Sequence, residues 1–348
     1  MNIYEGLPYH LEAAKVISNQ KNIFLEENLP EEFKDALLTV DKNKYQAIIT
    51  LPYYFQGAES YSRPAHDVPL EASMILGFHT KLPVVNTNLG RTSIWENKNL
   101  VQLISPNFYK KVVEKDFTNT KPLLVIKSNE RLTESESYLF SRCKVIYQGK
   151  SFSLYSIEKN ELFINNSQIY FDQYRSESLS SNRGFQVSDS NSYLYYNSFE
   201  YSISTKPFRG QGGIESFKKG IKVFTSFAPH TFTEGKKYDI SLWMNNHEQD
   251  ALNLWFRLIV QRYDLRDENW KDVVAYFPEK AETIYGDWSL VEMTFTGGNE
   301  NDSLRLVTIG KENSKARLYA DDLLIKESDN NVYKYDSIKN IKKCRICN

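Results

Sequence analysis

Between residues 238 and 263 apolar and polar positions alternate, which predicts two strands, each with an apolar face and a mixed face. In Y-D-I-S-L-W-M, Tyr238, Ile240, Leu242 and Met244 share one face, while Asp239, Ser241 and Trp243 share the other. In L-N-L-W-F-R-L-I-V-Q-R-Y, Leu254, Phe256, Leu258 and Val260 line one face, and Trp255, Arg257, Ile259, Gln261 and Tyr263 line its reverse. The polar link over 245–250 predicts a hairpin, and with it a two-sided antiparallel sheet. The apolar faces build a core. The reverse faces join indole rings to hydrogen-bonding side chains, a combination that suits a flat ligand stacked on Trp243 or Trp255 and oriented by Asp239, Arg257 and Gln261. The same rings serve as core if a second sheet or a loop covers them, because tryptophan is highly buried on average.

Upstream the period changes. Leu7, Leu11, Ala14 and Ile17 fit one helix face, and Pro30 with Glu31 and Glu32 starts a second helix with proline and acids in its first turn. Asp67 opens a helix carrying Leu70, Met74 and Ile75, two helical segments follow over 95–104 and 108–117, and Thr133 with Glu136 forms a capping box. Strands are predicted over 45–51, 82–85 and 122–127, and 144–147 pairs with 152–157 as a hairpin. Helices alternating with strands over residues 1–160 predict an α/β domain of two or three layers about a mostly parallel sheet. From 161 to 327 short strands recur between glycine-marked turns, and eight or more strands in about 165 residues fit an all-β jelly-roll sandwich that closes on its own core. The first is expected over 168–174. Residues 328–348 read as a polar, loose tail.

Three loops leave the strands of the α/β domain where ligands of open sheets bind, over 52–67, 86–93 and 128–133. They carry Arg63, Arg91 and Arg131, whose planar forks would suit a phosphate or carboxylate if they converge, and would otherwise pair within their own loops. The first loop also holds Glu59 and His66, candidate acid–base residues for an alternative reading as an enzyme of glycan or glycolipid metabolism. No glycine-rich phosphate loop, nucleophile elbow or metal-ligand motif accompanies them.

Composition narrows the partners. Lys and Arg number 43 against 44 Asp and Glu, which leaves no electrostatic footprint for nucleic acid. Three cysteines make no disulfide framework; Cys143 is alone, and Cys344 and Cys347 form a single C-x-x-C with weak zinc or redox content. No apolar run reaches the ~18 residues of a membrane helix, and residues 1–20 lack a signal-peptide pattern.

The β half resembles the galactose-binding-like jelly rolls of carbohydrate-binding modules, through Y-D-I-S-L-W-M at 238–244, W-S-L-V-E-M-T-F-T at 288–296 and the closing strand L-Y-A-D-D-L-L-I at 318–325. That resemblance implies saccharide binding and a structural calcium, with Asp172, Asp321 and Asp322 at the matching positions. The order of the whole chain is similar to the extracytoplasmic tail of bacterial membrane glycosyltransferases of the GT-C type, carried by residues 45–61, P-L-L-V-I-K at 122–127 and F-S-L-Y-S-I at 152–157. It implies a non-catalytic, membrane-associated accessory region of a cell-envelope protein, whose partners are a glycan and a membrane-embedded segment.

Overall fold

The structure is a computed structural model and describes residues 15, 21–56, 62–63, 65–89, 92–106, 111–164, 172, 174–217, 220–245, 257–299, 301–310, 317–336 and 340–343. Its first sheet has four strands in the order Ile48–Leu51, Leu123–Ser128, Phe152–Ile157, Lys144–Gln148. The first pair is parallel and the other two are antiparallel, so the sheet is mixed. The predicted strand at 82–85 is reduced to a single parallel bridge between Val84 and Ile48. Phe152–Ile157 returns through a short turn, and a hairpin can only pair antiparallel.

Helices cover both faces of this sheet. Phe33 and Ala36 of Glu31–Thr39, and Ala72, Ile75 and Leu76 of Asp67–Thr80, pack on Ile48, Leu124, Ile126 and Leu154. On the opposite face, Ile94 and Val101 of Ile94–Val101 and Leu139 of Glu134–Phe140 pack on Ile49, Leu51, Leu123 and Val125. Burial on both sides explains the unbroken apolar runs in these strands. The capping boxes at Ser93–Glu96 and Thr133–Glu136 are both formed.

The β half is a sandwich. One sheet runs Leu194–Asn197, Arg317–Glu327, Lys237–Asn245, Trp288–Thr296, Thr283–Tyr285, with Ile214–Phe217 also on the closing strand; the other runs Gly220–Phe227, Leu304–Gly310, Arg257–Asp264, Asn269–Tyr276. Tyr238, Ile240, Leu242 and Met244 meet Leu258, Val260, Leu304 and Leu306 in the core between them. The two alternating strands therefore face each other from opposite sheets and do not form the expected hairpin. Lys237–Asn245 finds its neighbours in Trp288–Thr296 and Arg317–Glu327, whereas Arg257–Asp264 pairs with Asn269–Tyr276 and Leu304–Gly310.

A further small sheet lies outside the sandwich, in the order Asn340–Lys343, Val332–Asp336, Phe185–Val187, Ser180–Asn182. Val332 and Tyr333 are fully buried, so this stretch is no loose tail. Phe185, Val187 and Val332 cluster with Trp243, Trp288, Leu290 and Tyr319, closing the outer face of the first sandwich sheet. Of the strand expected over 168–174, the described residues 172 and 174 are helical and the others lie outside the described residues; 199–204 form a turn with a single bridge from Ile203 to Gly212.

Candidate functional site

The outer face of the other sandwich sheet carries a polar and aromatic cluster toward the turn of the Arg257–Asp264 and Asn269–Tyr276 hairpin. Register sets it up: Gln261 lies opposite both Asp272 and Arg305, and Tyr263 lies opposite Trp270. Period two then turns these side chains away from the core that Leu258 and Val260 enter. Gln261 Nε2 donates to Asp272 Oδ1 at 2.7 Å, and Arg305 Nε donates to Gln261 Oε1 at 2.8 Å, so the buried amide is held in one orientation. The Arg305 guanidinium stands over Trp270, 4.1 Å from the ring centroid, while Tyr263 meets that indole edge-on at 5.3 Å. Partial burial lowers the guanidinium pKa from its ordinary value. Trp270, Tyr263 and Arg305 remain partly accessible and Asp272 is exposed.

Farther along the face Arg257 stands over Phe277 at 5.7 Å, and its buried Nε has no hydrogen-bond partner among the described residues. Ile221, Val223 and Val273 expose apolar surface on the flanking strands. An indole beside a fixed amide, a carboxylate and a guanidinium can stack a flat ring and bond the groups on its rim. Gln261 and Arg257 were expected at a binding face. Trp270, Asp272 and Arg305 were not, although a lone Trp at the end of the charged turn D-L-R-D-E-N was a usable signal.

The remaining candidates separate. Trp243 has no exposed surface: it stacks on Phe208 at 4.3 Å, and Trp288 packs tilted against the same Phe208 ring at 5.2 Å. It is a packing residue, and the open binding face expected around it is filled by the 199–213 loop and the small sheet. Asp239 accepts from Thr294, Ser328 and Lys326, which tie down the strand edge. Burial opposes its ionisation, but these bonds and the Lys326 charge win, and its pKa is lowered. Arg63 is held at 2.9 Å by both Glu136 and Glu282, and so does not join an anion site. Burial, partly offset by Arg63, raises the pKa of Glu282. Arg131 and His66 are exposed on separate loops. Trp255, Arg91, Glu59, Cys344 and Cys347 lie outside the described residues.

The acids expected to hold calcium do not fit it. Asp321 Oδ2 accepts from the amides of Phe208 at 2.9 Å and Arg209 at 3.0 Å, and its other oxygen accepts from the Asp322 amide. Asp322 accepts from the Tyr196 hydroxyl and pairs with Arg209 at 3.4 Å. Burial, with the Asp322 charge beside it, pushes the Asp321 carboxyl up to about 6. Both carboxylates are buried, Asp322 Oδ2 makes no hydrogen bond among the described residues and is balanced by the Arg209 charge alone, Asp172 is exposed, and no metal-holding group of three or more His, Cys, Asp or Glu occurs among the described residues. Their work is to pin the 199–213 loop.

No protein-family model matches the chain, and a search of curated proteins finds no match. Among solved structures it is similar to the CBM22-1 and GH10 modules of endo-1,4-beta-D-xylanase 10B from Clostridium thermocellum, complexed with xylohexaose, at 16% identity and a TM-score of 0.25. That match covers 44% of this chain and 28% of the xylanase chain, under a third of its length. The CBM22-1 xylan-binding domain of Paenibacillus barcinonensis Xyn10C matches at 11% identity and a TM-score of 0.25, over 42% of this chain and 86% of that one. TmCBM61, in complex with beta-1,4-galactotriose, matches at 10% identity and a TM-score of 0.23, over 42% of this chain and 90% of that one. A likeness of that size identifies neither family nor ligand.

Proposed function

We propose that this chain is a non-catalytic glycan-recognition region of a bacterial cell-envelope protein, with saccharide bound on the jelly roll at Trp270. The observation that carries the reading is the cluster itself: an accessible indole, flanked by Gln261 in a fixed orientation, the exposed Asp272 and the Arg305 guanidinium. A pyranose ring stacks on the indole beside the guanidinium that already stands over it, and its hydroxyls bond the carboxylate and the guanidinium, both held in place by Gln261. The extracytoplasmic, membrane-associated setting follows from the resemblance to GT-C glycosyltransferase tails. No helix among the described residues is long and apolar enough to cross a membrane.

A glycan array followed by titration calorimetry on the full chain tests this. Trp270→Ala should weaken binding about tenfold to a hundredfold, the effect of removing an aromatic anchor. The unfolding midpoint should move by only a few degrees, because the ring is partly exposed. A wild-type chain that binds no glycan on the array ends the reading.

A further inference from the structure

We infer that the saccharide taken by this face is acidic, bearing a carboxylate or sulfate that docks on Arg305, with Arg257 as a second cation of the same face. The inference rests on the glycan-recognition reading and narrows its ligand class. Several basic side chains elsewhere are matched by acids, Arg63 with Glu136 and Glu282, Arg209 with Asp322, Arg262 with Asp302, Lys326 with Asp239, and others such as Arg142, Arg183 and Lys98 are spent on backbone carbonyls. Near the cluster, Lys271 is neutralised by Asp264 and Asp267. Arg305 and Arg257 have no such match among the described residues. Asp272 is the acid nearest to Arg305 in register, but it is directed onto Gln261.

The geometry of Arg305 makes this a prepared site. Its Nε is used on Gln261 and its plane is fixed over Trp270, which leaves the two terminal nitrogens without a protein partner among the described residues. A planar fork immobilised in this way suits two-point recognition of a carboxylate or sulfate. Covering it with a neutral sugar would strip water from a charge and return only single hydrogen bonds, whereas an anion compensates the lost hydration. Arg257 stands more loosely over Phe277, at 5.7 Å, and its buried Nε has no hydrogen-bond partner among the described residues. Arg257 lies opposite Ile309, four residues along the strand from Arg305, hence about 13 Å away at ordinary strand rise.

The test uses the full chain on an array of matched pairs: uronate oligosaccharides beside their carboxyl-reduced forms, and sulfated oligosaccharides beside their desulfated forms. The anionic member of at least one pair should bind tenfold or more tighter, with the gap narrowing as salt is raised. Preference confined to one kind of pair identifies carboxylate or sulfate as the group read. Arg305→Gln should weaken binding of the anionic member roughly tenfold to a hundredfold, and Arg305→Lys should recover only part of it, since a point charge lacks the fork. Should Arg305→Gln lower the unfolding midpoint sharply, Arg257→Gln and the wild-type pair comparison decide instead.

Equal binding of both members of every pair, lost in Trp270→Ala, overturns the acidic ligand and leaves glycan recognition standing. Anionic binding unaltered in Arg305→Gln and Arg257→Gln alike also overturns it, because the anion then docks elsewhere. Absence of binding to every member overturns both.

Discussion

Lys98 is an amine with almost no access to water, and its Nζ donates at 2.6 Å to the backbone carbonyl of Asp287. Burial pushes its pKa down to about 7. The sign follows from linkage: the unfolded chain holds this proton up to about pH 10, the folded chain releases it near 7, so folding stability gains from Lys98 as pH rises between these values. Below pH 7 both states carry the charge and the penalty is at its full extent. Lys98→Met should therefore be more stable than wild type at pH 6, by an amount on the order of a few kcal/mol, less the cost of the deserted carbonyl. The advantage should vanish as pH approaches 10. Denaturant titrations of both proteins across that range check it, and parallel pH profiles would show that the amine does not titrate in the fold. Single residues such as this were invisible in the sequence, because a lysine's burial depends on a neighbour almost two hundred positions away. Arg63 was legible as a loop cation, but its clamp between Glu136 and Glu282 was not.

For elements, the sequence defined faces better than partners. The inward sets Tyr238, Ile240, Leu242, Met244 and Leu258, Val260 were correct because period two depends only on local geometry. Pairing the two strands as a hairpin was not, since strand partners are chosen by long-range packing that the alternation does not encode. The short strands Ser180–Asn182 and Phe185–Val187 carry too few residues to show a period, and so the layer they build over Trp243 escaped notice. The 199–213 loop completes that layer. It is held by Asp321 and by Glu200, whose Oε2 accepts from the amides of Gln211 and Gly212 at 3.1 and 3.0 Å. Trp243→Ala removes the ring on which Phe208 stacks and should cost roughly 3–5 kcal/mol of folding stability. Glycan affinity on the opposite sheet should be unaltered. Chemical denaturation and calorimetry together check this, and a small stability loss would mean the loop, not the ring, closes the face.

For the whole molecule, the two halves share a core. Ala281 and Ile284 of the β half are buried with Ile94, Val101 and Leu103 of the helical half, and Ser105 Oγ bonds both the Glu282 carbonyl and the Ile284 amide. Arg63 joins Glu136 of one half to Glu282 of the other. The jelly roll was expected to close on its own core; the segment around 281–284 instead enters its neighbour's. A fragment starting at residue 161 should fold cooperatively yet unfold at a lower temperature than the full chain and bind an apolar dye at the uncovered patch. Identical midpoints and no dye binding would show that the shared core adds nothing.

The position of the strand Arg317–Glu327 has a consequence for how the protein is made. It pairs with Leu194–Asn197, Ile214–Phe217 and Lys237–Asn245, and so occupies the middle of its sheet although it follows all three in sequence. Synthesis runs from the N-terminus at about 5–20 residues per second, and the helical half can begin to order on the ribosome as it emerges. The earlier strands, however, must wait on the order of ten seconds for their shared partner. During that interval the edges of Leu194–Asn197 and Lys237–Asn245 are unpaired, open to holding chaperones and to other nascent chains. Slow steps in producing this protein should therefore follow the emergence of residue 327 from the ribosome, when one strand closes a sheet whose other members have long been waiting.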